Sequence, residues 1–171
     1  MNKAVMLSVR PKWVGKIANG EKTIEVRKTK PNLPTPFKAY IYCSQGNDAR
    51  RLRGSWGKVI GEFTCDRIFP INVFDNGSIQ NWLFEHMERS CLTYEELADY
   101  IGNGKTGHGW HISDLLIYDQ PRELSEFQRA TDPCDSCHAE YTWECTGCKK
   151  FGGDIKRPPQ SWCYVEAMKD D

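Results

Sequence analysis

Several short stretches of the chain alternate apolar and polar residues or are rich in β-branched side chains, and both features are typical of strands. The longest, VIGEFTCDRIFPI, is expected to end near Pro70, because proline cannot donate a hydrogen bond within a sheet. Five or six strands are predicted, drawn from residues 3–9, 23–27, 37–43, 58–71, 110–119 and 161–167.

Helical spacing and capping residues predict three short helices between these strands. Pro11 suits the first turn of a helix, and Gly20 suits a left-handed helix end. Thr93 and Glu96 form a capping-box pattern. The predicted helices are 11–19, 79–88 and a segment capped at Thr93 that ends at Gly102, with a single helical turn in 121–128. Strands and helices do not alternate strictly, so we expect an α+β fold: a small mixed barrel with helices on its outside.

Length and composition predict one compact intracellular domain. The chain has 171 residues, within the range of a single domain, and 39% of them are hydrophobic. It has no apolar run of about 18 residues, as a membrane span requires. The N-terminal segment MNKAVMLSVRPKW lacks the apolar region of a secretory signal, so we expect a cytoplasmic protein.

Four of the eight cysteines form two CxxC pairs, Cys134 with Cys137 and Cys145 with Cys148. Without a signal sequence, paired CxxC motifs indicate a metal site rather than disulfides. Four thiolates complete a tetrahedron around Zn²⁺ and leave no open position for water, so the predicted zinc is structural. His138 is the alternative ligand to its neighbour Cys137. The other four cysteines are expected to be buried thiols. A redox dithiol is the competing interpretation of the CxxC pairs.

The charge is distributed unevenly, although the net charge is zero. Residues 1–58 contain 13 Lys and Arg against 3 Asp and Glu, a net of +10, and residues 59–171 contain 10 against 20, a net of −10. This asymmetry favours a basic face for a polyanion or a phosphate group over scattered surface charge. Four of the basic residues cluster after the first helix: Lys22, Arg27, Lys28 and Lys30.

Two tryptophans lie where a nucleobase can stack on an exposed ring. Trp110 and Trp162 begin predicted strands beside a glycine and a serine. Core packing is the equally weighted alternative for both, and for Trp13 it is the interpretation we adopt.

Four segments, SVRPKWVGKIANGEKTIEVRKTKP, GKVIGEFTCDRI, GWHISDL and RPPQSW, occur in this order and resemble the ASCH-domain family of bacteria and phages. The resemblance runs from about residue 3 to residue 166, and its core element is Gly20, Lys22 and Arg27. It implies a single PUA-like domain over 1–171, with 129–156 as an insertion that carries the zinc knuckle.

The resemblance also implies a cleft between barrel and helices that binds RNA or a nucleotide, and some members hydrolyse acylated cytidines or cut RNA. In the deacylating members a threonine nucleophile occupies the position that matches Glu25, beside the lysine that matches Lys22. A carboxylate does not replace a hydroxyl in that mechanism. We therefore expect a binding protein without catalysis. Glu25 and Arg27 are expected to share one strand face, as an ion pair or as joint ligand contacts.

Two alternative functions remain. The first is a hydrolase in the same cleft, an N-acylcytidine amidohydrolase or a ribonuclease, with Lys22 and Glu25 as its reactive residues. His108 and His111 are poorly suited to joint acid–base catalysis, because residues three apart on a strand face opposite ways. The second is a protein-interaction module that uses the exposed aromatic residues of the zinc insertion, such as the segment 140–143.

Overall fold

The computed structural model describes residues 3–45, 54–76, 78–80, 84–130 and 153–168. The chain divides into two compact units, each assembled from segments that are separate in the sequence. Unit 1 contains Met1–Pro11, Lys38–Glu62 and Leu116–Asp171, and unit 2 contains Lys12–Phe37 and Phe63–Leu115. The assignment of 1–171 to one domain with an insertion stays a prediction.

The described residues form strands and short helices in a mixed α+β arrangement, as the sequence predicts. The strands are β1 (Lys3–Val9), β2 (Ile24–Arg27), β3 (Phe37–Cys43), β4 (Lys58–Cys65), β5 (Ile68–Val73), β6 (Ile79–Gln80), β7 (Thr106–His111), β8 (Ser113–Glu123), β9 (Gln128–Arg129), β10 (Gly153–Asp154) and β11 (Trp162–Glu166). The helices are α1 (Pro11–Ala18), α2 (Phe84–Ser90) and α3 (Tyr94–Ile101), and a 3-10 turn covers Leu124–Glu126.

Seven strands form one sheet in the order β10-β9-β11-β1-β3-β4-β8. Its centre is mixed, because β1 runs parallel to β3, with Val5 opposite Ala39, and antiparallel to β11, with Val5 opposite Tyr164. In the described part of unit 1, the core that packs on this sheet consists of Ala4, Met6, Tyr40, Tyr42, Val59, Phe127, Ile155, Cys163 and Val165. The pairing of the described strands shows no closure into a barrel.

The other four strands form an antiparallel sheet in unit 2, in the order β2-β7-β5-β6. In β7, Trp110 lies opposite Glu25 of β2 and opposite Ile68 of β5. Residues directly opposite each other share a face of the sheet. One face is apolar: Ile24, Val26, Ile71 and Val73 of the sheet pack with Leu97 and Ile101 of α3. The other face carries the charged residues of β2.

Two glycines have conformations or surroundings that a larger residue does not fit. Gly20 ends α1 with a φ of 80°, in the left-handed region, as predicted. Gly107 lies in β7 against α3, and a Cβ built there would be 2.6 Å from Cδ1 of Ile101 and 3.4 Å from the carbonyl oxygen of Arg27. The absence of a side chain at Gly107 therefore permits the close packing of α3 on the sheet.

Two of the predicted strands are each divided into two separate strands by a short break. The run 58–71 divides into β4 and β5 at Asp66 and Arg67, and Pro70 lies inside β5 rather than at its end. Pro70 is exposed and lies opposite His108. The run 110–119 likewise divides at Ile112 into β7, which begins earlier, and β8, which extends further.

The helix predictions hold where a cap fixes the start of the helix. The Thr93 hydroxyl accepts the N–H of Glu96 at 3.1 Å, and the Glu96 carboxylate accepts the N–H of Thr93 at 2.9 Å. The predicted helix 79–88 is wrong at its start, because Ile79 pairs with Val73 in a hairpin and the helix begins only at Phe84. The predicted turn in 121–128 shrinks to three residues, because β8 continues to Glu123.

Candidate functional site

Lys22 lies in the short segment between α1 and β2, which backbone hydrogen bonds hold on two sides. The N–H of Lys22 donates to the carbonyl of Lys16 at 2.9 Å, and the N–H of Thr23 donates to the carbonyl of Arg89 at 2.9 Å. The Lys22 side chain is only 2% exposed. A lysine is almost never buried to this extent unless its ammonium group is paired.

The partner of Lys22 is Glu25, which also pairs with Arg27. The Lys22 ammonium lies 3.5 Å from Oε2 of Glu25, and Nη2 of Arg27 lies 2.9 Å from Oε1 of the same carboxylate. Nζ of Lys22 also donates to the carbonyl of Ser90 at 2.6 Å. Glu25 and Arg27 are each 6% exposed. These three residues, Lys22, Glu25 and Arg27, are called the β2 ion cluster below.

The cluster carries a net positive charge away from water. Burial lowers the pKa of Lys22 from its ordinary value, although the charge of Glu25 acts in the opposite direction. Two cations and one carboxylate at this depth contribute little net stability, because the desolvation of each ion offsets most of the attraction between them. Buried charged groups whose pKa is perturbed are found preferentially at functional sites.

The face of β2 that carries the cluster continues onto β7. Glu25 lies opposite Trp110, and Arg27 lies opposite His108. Trp110 is 0% exposed, and its ring meets Phe37 edge to face, with centroids 5.6 Å apart. Its ring therefore offers no open face to a nucleobase in this structure. His108 is half-buried; burial lowers its pKa first, and the charge of Lys30 lowers it further.

Lys28 and Lys30 are exposed directly after the cluster. Of the four basic residues predicted to form a basic face, Lys22 and Arg27 are instead buried. The ammonium of Lys28 lies 5.2 Å from the centre of the Tyr100 ring, within the range of a cation–π contact. Sequence reasoning missed Tyr100. The helical pattern alone could have indicated that Tyr100 is exposed, because Tyr100 does not share the positions of α3 that are buried, Leu97 and Ile101.

Trp13 also differs from its predicted role in the core. It is half-buried on α1, with the ammonium of Lys12 at 4.3 Å and that of Lys22 at 5.1 Å from its ring. The ring thus lies between an exposed cation and a cation of the β2 ion cluster. Trp162, in unit 1, is partly exposed and meets the Tyr164 ring edge to face at 5.3 Å.

The two histidines of β7 are not brought together. His108 lies opposite Arg27, whereas His111 lies opposite Ile24, on the other face of the strand. Nδ1 of His111 lies 2.6 Å from a carboxylate oxygen of Asp66. Burial acts against the Asp66 charge, but this hydrogen bond and the charge of His111 outweigh it and lower the pKa of Asp66.

The predicted zinc ligands Cys134, Cys137, Cys145 and Cys148 lie outside the described residues. Within the described ranges, no group of three or more His, Cys, Asp or Glu side chains is placed to hold a metal ion. Of the remaining cysteines, Cys43, Cys65 and Cys163 are buried as predicted, and Cys91 is half-buried. Burial raises the pKa of Cys43 to about 11 and that of Cys65 to about 12, so neither thiol ionises near neutral pH.

Among the helices of the described ranges, none has the length and apolar character of a membrane span. No family model matches the chain, and no curated protein matches it.

The fold does match solved structures. The crystal structure of ASCH from Zymomonas mobilis is 18% identical, with 97% of this chain and 90% of that chain covered and a TM-score of 0.61. A tyrosine-to-phenylalanine variant of the Zymomonas protein is 19% identical over 95% of this chain and 90% of its own, with a TM-score of 0.58. A serine-to-alanine variant is 20% identical, with 96% of this chain and 89% of its own chain covered and a TM-score of 0.59. At these identities the likeness establishes the fold: the chain has the fold of an ASCH protein.

Proposed function

We propose that this chain is an ASCH-domain protein that binds RNA or a modified nucleotide in a basic cleft, with the β2 ion cluster inside and Lys28 and Lys30 at its mouth. The observation that carries the proposal is the burial of Lys22, Glu25 and Arg27 together, followed at once by exposed lysines. Arginine presents a planar fork to phosphate or to a base edge, and lysine presents a mobile point charge. Partly exposed Trp162 is proposed as a stacking surface.

Binding of single-stranded RNA oligonucleotides, measured at several salt concentrations, tests this proposal. We expect the logarithm of affinity to fall with the logarithm of salt concentration with a slope of about −0.7 per phosphate contacted. Arg27→Ala should weaken binding about tenfold or more, because a buried fork loses paired hydrogen bonds to a charged group. Lys28→Ala should cost less, because an exposed lysine loses only a screened charge.

Two further variants complete this test. Trp162→Ala should weaken binding without changing the slope, because stacking releases no counterions. Lys156→Ala removes an exposed lysine of unit 1 and serves as the matched control. Unchanged affinity of Arg27→Ala for every nucleotide and oligonucleotide tested would contradict the basic cleft.

A hydrolase in the same place is the second candidate, and two observations favour it. Burial lowers the pKa of Lys22, which increases the fraction of its amine that is unprotonated and able to accept a proton. The buried Thr23 hydroxyl, two residues before Glu25, has no hydrogen-bond partner among the described residues. Turnover of an acylated cytidine, or cleavage of RNA, at about 1 per second or faster would establish catalysis. We expect little or none, and more deacylation after Glu25→Thr.

We also propose a structural zinc ion on Cys134, Cys137, Cys145 and Cys148. Elemental analysis of freshly purified protein should find about one zinc per chain. Cys134→Ser or Cys148→Ser should abolish zinc binding and unfold the insertion while the rest of the chain stays folded, because metal binding replaces a core in so short a segment. Protein without zinc would contradict this, and would also weaken the proposal that the insertion binds a protein partner.

A further inference from the structure

Two aromatic side chains are exposed in unit 2, at the end of its four-stranded sheet. Phe74 is 47% exposed and follows β5 directly, and Tyr100 is 38% exposed in the last turn of α3. The other large hydrophobic side chains that are exposed in the described part of the chain, Leu116 and Ile117, belong to unit 1. Single exposed apolar residues need no explanation, but two exposed aromatic rings at the same end of a sheet make that end a candidate binding surface.

The register of the strands shows why these residues lie at one end. In β2 and β7, Arg27 lies opposite His108, and in β5 and β7, Asn72 lies opposite Thr106. The last residues of β2 and β5 and the first residues of β7 therefore lie at the same end of the sheet. The residues just after β2, just after β5 and just before β7 are neighbours there.

A lysine lies near each of the two aromatic residues at this end of the sheet. The ammonium of Lys28 lies 5.2 Å from the centre of the Tyr100 ring. The Lys105 side chain packs over Gly102, where a built Cβ would be 3.4 Å from its Cδ. The carbonyl of Lys105 accepts the N–H of the last residue of β5 at 2.9 Å, directly before Phe74. The four residues Lys28, Phe74, Tyr100 and Lys105 are called the end surface below.

The charge of the end surface favours a polyanion over another protein. Lys30 is also exposed nearby; burial lowers the pKa of His108, and the charge of Lys30 adds to this effect. Two acidic residues are chain neighbours of the aromatic rings of the end surface: Asp75 follows Phe74, and exposed Asp99 precedes Tyr100. The three lysines Lys28, Lys30 and Lys105 outnumber them. Aromatic rings interleaved with lysines are the combination that binds single-stranded nucleic acid, because every base can stack and every phosphate can pair.

We propose that the end surface stacks the bases of single-stranded RNA that extends beyond the nucleotide bound at the β2 ion cluster. This inference rests on the proposed function and makes it more specific: the ligand is an oligonucleotide rather than a free nucleotide. Arg27 and α3 lie on opposite faces of the sheet, and Lys28, the next residue after Arg27, contacts Tyr100 of α3. A strand whose nucleotide contacts Arg27 would therefore pass around this end of the sheet, beside Lys28, to reach Tyr100. Tyr100 and Phe74 supply the stacking faces, and Lys28 and Lys105 pair with phosphates.

The test compares two probes, uridine monophosphate and an eight-residue oligouridylate, by calorimetry and by fluorescence anisotropy. The wild-type protein should bind the octamer more tightly than the monophosphate. Tyr100→Ala should weaken octamer binding about tenfold and leave monophosphate binding unchanged, because it removes one stacked base. Tyr100→Phe keeps the ring and should keep the affinity. Lys105→Ala should make the salt slope shallower by about 0.7.

The controls separate this inference from the proposed function. Leu116→Ala removes an exposed side chain of unit 1, and Phe74→Ala provides a second test of stacking if Tyr100→Ala folds poorly by circular dichroism. Equal affinity for the two probes, or equal effects of Tyr100→Ala and Leu116→Ala on the octamer, would overturn the end surface and leave the proposed function intact. Absence of binding to either probe would overturn both. An equal loss on both probes with Tyr100→Ala would indicate a structural role only and would also overturn the inference.

Discussion

Unit 1 and unit 2 bury different kinds of side chain. The core of unit 1 is aliphatic and aromatic, and the polar group of Tyr40 is used internally: its hydroxyl accepts the N–H of Met168 at 2.8 Å. In the described part of the chain, the buried polar and charged residues all lie in unit 2: Lys22, Glu25, Arg27 and Ser90. Burial of charge is costly and apolar burial is favourable. The comparison therefore separates a unit that contributes stability from a unit that carries the candidate site.

The largest change in the free energy of unfolding is expected for a substitution in the core of unit 1. Phe127 is fully buried and packs edge to face on Tyr40, with ring centroids 4.9 Å apart. Phe127→Ala should lower the free energy of unfolding by about 3–5 kcal/mol, because it removes apolar contacts and leaves a cavity. Urea unfolding measures the change, and Leu116→Ala, at an exposed site, should change it by at most about 0.5 kcal/mol. A loss below about 1 kcal/mol for Phe127→Ala would contradict the stabilising role of this core.

A somewhat smaller change in the free energy of unfolding is expected for a substitution in the β2 ion cluster of unit 2. Glu25→Gln should destabilise the fold by about 3 kcal/mol, because Lys22 and Arg27 keep their buried charges without a carboxylate. Replacing all three residues together by apolar residues (Lys22→Met, Glu25→Leu, Arg27→Met) should be neutral or stabilising and should abolish nucleotide binding. Urea unfolding of both proteins compares the two changes. If the triple variant loses as much stability as Glu25→Gln, the cluster is part of the stable core and the contrast between the units fails.

The smallest effect concerns pH. Because the pKa of Lys22 is lowered in the folded state, the unfolded chain binds more protons between that pKa and the ordinary value of about 10.4. The free energy of unfolding therefore receives a contribution that rises with pH across this window. Lys22→Met should make the stability curve flatter in alkaline solution.

The matched control for the pH effect is Lys16, whose side chain is 37% exposed. Its hydrogen bond with Glu21 raises the pKa of Lys16, so its contribution to stability falls as pH rises through the alkaline range. Lys16→Met should therefore change the slope in the opposite direction. Urea unfolding at a series of pH values measures both slopes, and equal slopes for the two variants would contradict the assigned burial of Lys22.

Local features of the fold could be predicted from the sequence, because neighbouring residues determine them. The strand at 3–9, the left-handed Gly20 and the reciprocal bonds of Thr93 with Glu96 are all confirmed. The ion pair of Glu25 with Arg27 also follows from strand spacing. The fold of an ASCH protein agrees with the resemblance of the four segments.

The features that could not be predicted depend on residues distant in the sequence. The pattern TIEVR indicates a strand with one polar face, yet both faces of β2 are buried. Trp110 loses its exposed face to Phe37, and Lys28 meets Tyr100, which lies 72 residues later. Pro70 sits inside β5 because it is an exposed position opposite His108, a pairing that the local sequence does not specify.

Gly107 affects how a comprehensive mutational scan of this protein should be interpreted. A side chain at Gly107 would displace Ile101 and press towards the carbonyl of Arg27. Substitutions there should therefore reduce nucleotide binding as strongly as substitutions of Arg27, although glycine contacts no ligand. A selection that scores only RNA binding would assign Gly107 to the site. Scoring cellular abundance in parallel separates Gly107 from the end surface, because Gly107 variants should lose abundance and RNA binding together, whereas Tyr100 variants should lose RNA binding alone.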